Sequence, residues 1–216
     1  MSQHLTLDVA PATLEPWTAA DDRRHRYNPY RPIDAPLSSL PAELQSALGP
    51  AAQRPRIYLT FGTVFNSSPA LDAAAQAAAR LRGTLVVTVG ANGEPERHAG
   101  LQGCVHVLRF VDQRAVLPHC DAVVSHGGAG TVVGSAAHGL PQLVLPQAAD
   151  HSRNARALCA AGAGVAVEPG NQTVERLESA LRQVLSSPSM TAGAQRLGQE
   201  MAAAPDATAM ALQIGR

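Results

Sequence analysis

DAVVSHGGAGTVVGSAAHGLPQLVLP, residues 121–146, carries the pattern that decides the fold. Ala122 to Val124 is an apolar run that delivers His126 and a cluster of small residues, Gly127, Gly128, Ala129, Gly130 and Thr131. A helix-compatible segment follows at once. A strand, a glycine-rich turn and a helix N-terminus in that order bind phosphate through backbone N–H groups and the helix dipole. Glycine lets the backbone come close to the anion, because no Cβ stands in the way. The His126 ring and the Thr131 hydroxyl are the side-chain donors at this turn. The alternative for His126 is a helix-start histidine satisfied by backbone. A second apolar strand ends at Pro146, and QAADHSRNA, residues 147–155, opens another helix.

The same alternation extends outward in both directions. Expected strands cover 57–61, 84–89, 105–110, 122–124, 142–145 and 164–167. Expected helices cover 70–81, 113–117, 128–137, 152–161, 174–185 and 192–204, with a loop over 91–100. Uniformly apolar strands alternating with helices indicate a parallel sheet covered on both faces. The fold class is therefore α/β, a Rossmann-like doubly wound sheet of about six strands. In such sheets ligands sit beyond the carboxyl ends of the strands, where all the motif residues fall. Residues 1–53 differ. LTLDVA (5–10) reads as one strand; after it Pro11, Pro16, Pro29, Pro32, Pro36, Pro41 and Pro50 punctuate a polar stretch that excludes long helices. DDRRHR (21–26) reads as a solvated loop. The expected division is a proline-rich extension over 1–53 and a Rossmann-like domain over 54–216.

Bulk composition narrows the function classes. The 216 residues can bury one sizeable core. Acidic and basic residues balance at 17 each, so no field favours nucleic acid or an anionic membrane surface. Every basic residue is Arg, the better partner for bidentate anion recognition. Cys104, Cys120 and Cys159 make an odd count without a Cys-x-x-Cys pair, which argues against a disulfide framework or structural zinc; each is expected to be a small buried hydrophobe. MSQHLTLDVAPATLEPW lacks a basic region leading into an apolar core, and no apolar run reaches membrane-spanning length. A cytoplasmic protein without a signal peptide or transmembrane segment is expected.

HGGAGT (126–131) followed by PQAADHSRNA (146–155) resembles the donor-binding signature of nucleotide-sugar-dependent glycosyltransferases of the two-Rossmann-domain (GT-B) type. Within that group it is similar to the bacterial natural-product transferases of the erythromycin-type macrolide class. The likeness runs from Arg54 to the C-terminus, and it implies that residues 1–53 close an acceptor domain and lead into the donor domain.

The resemblance assigns roles residue by residue. Gly62 and Thr63, with Asn66 nearby, form either an ordinary turn or a set of N–H and hydroxyl donors; the family places such a turn close to the donor phosphates. RFVDQ (109–113) resembles the family's Trp-Val-Pro-Gln, with Phe110 for Trp and Asp112 for Pro. Phe110 would then cover the pyrimidine, Val111 would offer backbone contacts to its edge, and Gln113 would sit near the ribose. The competing reading of Phe110 is core packing at a strand end. Asp150 and His151 stand where the family has an Asp-Gln or Glu-Gln pair on the sugar hydroxyls, so Gln is replaced by His151; Asn154 and Ala155 match the Asn-Ala that follows. Asp150 also fits as a helix N-cap acceptor. His98, His106, His119 and His138 are expected to be structural or solvated.

The function implied is the donor-binding half of an inverting glycosyltransferase, moving a sugar from a UDP- or dTDP-sugar to a small-molecule hydroxyl. No carboxylate pair shows metal-ligand spacing, and no cofactor or metal is expected. The base for the acceptor belongs to the acceptor domain, so the chain alone is expected to transfer poorly. The alternatives are the donor subunit of a split transferase, docking an acceptor-domain partner chain or a second copy, and a non-catalytic nucleotide-binding remnant. An epimerase or dehydrogenase is disfavoured, because the first strand is not followed by G-x-G-x-x-G.

Overall fold

The computed structural model describes residues 4–8, 10–14, 25–29, 39–65, 67–101 and 103–214. Strands β1 (His4–Asp8) and β2 (His25–Pro29) pair parallel, with His4 opposite His25. Of the solvated loop expected at 21–26, residues 21–24 lie outside the described residues, while His25 and Arg26 stand in β2, whose pairing with β1 satisfies backbone groups that a loop would leave to water. A short helix α1 (Ala42–Gln45) precedes the main alternation. That runs β3 (Arg56–Thr60), α2 (Pro69–Ala79), β4 (Thr84–Thr88), β5 (Cys104–Leu108), α3 (Gln113–Val116), β6 (Ala122–Ser125), α4 (Ala129–Ala137), β7 (Gln142–Val144), α5 (Ala149–Ala160), β8 (Gly164–Ala166), α6 (Val174–Ser186), α7 (Pro188–Ala203) and α8 (Ala207–Ile214). Helix α8 lies beyond the last helix expected from the sequence, and a 3-10 turn, Pro95–His98, interrupts the expected loop.

Six strands form one parallel sheet in the order β5-β4-β3-β6-β7-β8. The chain leaves β3 toward β4 on one side and later returns beside β3 as β6. The order therefore reverses between β3 and β6, and a crevice opens at their carboxyl ends, where ligands bind in sheets of this kind. Thr60 and Ser125 are opposite each other at that end.

Both faces of the sheet are covered. Ile57, Leu59, Leu85, Val87 and Val124 pack with α2 and α6, while Tyr58, Val86 and Val123 pack on the other face with Leu44 of α1, with Leu48 just after it, and with Val116 of α3. Helix α6 shows why its sequence is helical: Leu177, Ala180, Leu181 and Val184 recur as one buried stripe. Each fully buried leucine of that kind contributes about 1.5–3 kcal/mol. Caps set the helix starts. Ser68 accepts the Ala70 N–H at 3.3 Å before α2, and Thr173 accepts the Arg176 N–H at 3.4 Å before α6.

The segment before β3 is packed onto this domain. Leu14 is buried with Val132, Ala155, Leu158, Leu197 and Met201, and the Thr13 hydroxyl donates to Glu200 at 2.6 Å. Arg56 is buried; its guanidinium donates to the Gly49 carbonyl at 2.7 Å, and Asp121 accepts its backbone N–H at 2.7 Å.

The cysteines divide, which corrects the expectation of three buried ones. Cys120 is buried on the α3 side, its thiol pushed up to about 12 by desolvation. Cys104 on the edge strand β5 is half-buried, and Cys159 near the end of α5 is exposed, because both elements present one side to solvent. Among the described residues no helix is long and apolar enough to cross a membrane.

Candidate functional site

The crevice between β3 and β6 is built from two short turns and two helix starts. After β3, Gly62 takes φ +68°, and its N–H is held by the Thr60 hydroxyl at 3.3 Å. After β6, Gly127 takes φ +92°, its N–H donates to the Ser125 hydroxyl at 3.2 Å, and a Cβ there would stand 2.8 Å from Val144 Cγ1. Only glycine fits this left-handed, crowded corner. Asn154 of α5 donates to the Gly127 carbonyl at 2.9 Å and ties the second helix to the turn.

His126 lies between the two turns and is 8% exposed. A Cβ on Gly128 would come within 2.6 Å of its Nε2, and one on Gly62 within 3.0 Å of its Cε1. The ring is thus sandwiched by two glycines. Its Nδ1 is buried without a hydrogen-bond partner. Desolvation, then the neighbouring His151, hold the imidazole below its ordinary 6.5, while a backbone hydrogen bond with Thr60 and the Asp150 carboxylate act against them.

Helix α4 begins directly after this histidine. Its N-cap is Gly128, so no side chain caps that end. Ala129 and Gly130 are exposed there, and Thr131 is largely buried at the start of the helix. An uncapped helix start at a switch point offers free N–H groups and positive potential to an anion.

Phe110 is 78% exposed, just beyond β5, so the competing reading of it as core packing is corrected. The strand ends at Leu108, two residues short of the expected end, which carries Phe110 out of the sheet. Val111 is buried beside it. Asp112 caps α3, accepting the Arg114 N–H at 3.0 Å and pairing with its guanidinium at 2.7 Å. The departure from the family's proline is thereby a helix cap. Gln113 Nε2 donates to the Gly130 carbonyl at 3.3 Å, joining α3 to the start of α4.

Helix α5 starts with Ala148 as N-cap, so the reading of Asp150 as the N-cap acceptor is corrected. The helix begins earlier than expected, and Asp150 already lies in its first turn. Its side chain is 71% exposed. His151 is buried instead: its ring meets His126 edge-on with centroids 4.5 Å apart and Phe65 at 5.2 Å. The Gln147 N–H donates to His151 Nδ1 at 3.3 Å. Thr63 is exposed at the mouth beside Gly62, and Asn66 lies outside the described residues.

Two parts of the site were missed by sequence reasoning. Gln147 braces three loops: it accepts from the Ser68 hydroxyl at 2.8 Å, and its amide donates to Pro146 O at 2.9 Å and to Gln172 Oε1 at 3.2 Å. Phe65 walls the histidine pair. Its position right after a strand in a chain with three Phe was the available signal; nothing in the spacing of Ser68, Gln147 and Gln172 announces the brace.

Residues 72–215 match the family described as erythromycin biosynthesis protein CIII-like, C-terminal domain. The chain is 35% identical over 212 residues to TDP-daunosamine transferase DnrS of Streptomyces peucetius, covering 95% of this chain and 48% of that protein. Among solved structures, the glycosyltransferase SnogD from Streptomyces nogalater superposes with a TM-score of 0.73 at 30% identity, covering 96% of this chain and 56% of that one. Glycosyltransferase VinC in complex with dTDP gives a TM-score of 0.78 at 28% identity, covering 98% and 51%. The chain spans about half the length of the curated relatives it matches.

Proposed function

This chain belongs to the family of erythromycin biosynthesis protein CIII-like C-terminal domains, and from that premise we propose that it is the donor-binding half of an inverting glycosyltransferase that takes a dTDP- or UDP-sugar. The observation that carries the reading is an imidazole, buried with its Nδ1 unpartnered, at the switch point of the sheet beside an uncapped helix start. A diphosphate there receives hydrogen bonds from His126 and the first-turn N–H groups of α4, and Thr131 and the Gly62-Thr63 turn line the same crevice. Phe110 supplies an exposed ring for the nucleobase, with the Val111 backbone at its edge and Gln113 toward the ribose. Asp150 faces the sugar. VinC, a structural relative, is described with dTDP bound, which favours thymidine over uridine as the base.

The chemistry assigned to this half is charge stabilisation. As the acceptor oxygen attacks the anomeric carbon, the bond to the diphosphate breaks and negative charge grows on the leaving oxygen. Groups already fixed around that oxygen stabilise the transition state more than the ground state. His126 and the α4 dipole meet that charge, so the proposal includes no metal ion. The acceptor's proton goes to a base outside these 216 residues, and the acceptor is a small natural-product hydroxyl.

Calorimetric titration of dTDP and UDP into the wild-type chain and into His126→Ala tests the reading, with and without EDTA. Binding by the wild type that weakens at least tenfold in the variant and ignores EDTA is the expected result. A folded wild-type chain that binds neither nucleotide overturns it. Sugar transfer by the chain alone is expected to be negligible, and robust turnover would refute the placement of the base elsewhere.

A further inference from the structure

The second histidine of the crevice has a role that the sugar-binding pair of the family does not predict. His151 points away from the surface. Its ring stands edge-on to His126 at 4.5 Å and to Phe65 at 5.2 Å, and Phe65 and Phe61 reach the His126 ring at 5.8 and 6.0 Å. Its Nδ1 accepts the Gln147 N–H, which leaves the ring proton on Nε2, 3.8 Å from Asp150 Oδ1. The ring is therefore held from α5 by one hydrogen bond and presses on a histidine that is otherwise sandwiched between Gly62 and Gly128.

Resting on the donor-site reading above, we propose that His151 is a positioning residue: its ring fixes the orientation of His126 and so aims that imidazole at the diphosphate. The role follows from packing. With glycines above and below, the His126 ring is flanked by those of Phe61, Phe65 and His151, and His151 is the nearest of the three at 4.5 Å.

Two variants test this. His151→Asn keeps an acceptor for the Gln147 N–H but removes the ring. His151→Phe keeps an aromatic edge against His126 and removes the acceptor. The His126 Cε1 proton signal is followed by NMR in the ligand-free chain, and dTDP affinity is measured at pH 8. In His151→Asn the signal is expected to shift and broaden as the ring loses its fixed orientation, and affinity to fall roughly 2- to 10-fold, the scale of one aromatic contact; both are expected to change less in His151→Phe. A His126 signal in His151→Asn identical to that of the wild type, or equal affinity in the two proteins, overturns the proposal. The NMR arm needs no nucleotide, so a wild-type chain that fails to bind dTDP refutes the donor-site reading while the His151 proposal is still judged.

Discussion

Phe110 carries the sharpest contrast between what a residue costs the fold and what it offers a ligand. At 78% exposed it contributes almost nothing to the core, yet it stands at the carboxyl end of the sheet. Base–aromatic stacking is worth about 1–3 kcal/mol, so Phe110→Ala should weaken dTDP roughly 5- to 150-fold. The urea midpoint should stay where it was. A stability loss without a binding loss would return this residue to a packing role. The sequence placed Phe110 at a strand end but could not tell exposed from buried, because that depends on β5 stopping two residues earlier, at Leu108. His126 was legible, since glycines flank it at a strand-to-helix switch. His151 was not. Its inward turn depends on Phe65, which is remote in sequence, and on a hydrogen bond from the Gln147 N–H that residue types alone do not announce.

At the scale of elements, the strands and helices of the sheet domain follow apolar runs and caps, and they lie within a few residues of where the sequence puts them. Several boundaries moved by two to four residues, among them the end of β5 and the starts of α5 and α7. Helix α5 opens on Ala148 and not on the acidic residue that looked like its start. Helix α3 is held open at its beginning by Asp112, the residue that departs from the family's proline. Asp112→Ala removes a cap that is half-buried and also paired with Arg114, and the expected cost is about 0.5–2 kcal/mol in a urea melt. Because α3 begins right after Phe110 and carries Gln113, the same change should lower dTDP affinity. A variant as stable as the wild type would mean that α3 needs no cap, its start being held by packing of Ala115 and Val116. Helix α8 and strand β2 were not foreseen. Strand β2 lies in the proline-rich tract, and its pairing with β1 is non-local, which periodicity cannot show.

Across the whole molecule, the buried histidines set the acid response. Desolvation is the leading cause that lowers both His126 and His98 below their ordinary 6.5. The unfolded chain therefore binds protons that the folded chain refuses, and stability is lost as pH falls from 6.5 toward the folded values. The exposed pair Glu175 and Glu178 is shifted down from 4.5 and acts only at lower pH. Urea midpoints should fall as pH drops below 6.5 and fall less in His126→Gln. A flat profile over that window would contradict the burial of these rings in solution. Nucleotide at about 100 times its Kd adds roughly 2.7 kcal/mol to the folded state.

The composition break near residue 53 would invite anyone to express the domain from Arg54 onward. Leu14 argues otherwise. It fills a socket lined by Val132, Leu158, Leu197 and Met201, and the Thr13 to Glu200 bond closes over it. Without that plug the socket would be greasy and open, so a fragment trimmed at the linker should come out of cells insoluble while one that keeps residues 10–14 does not.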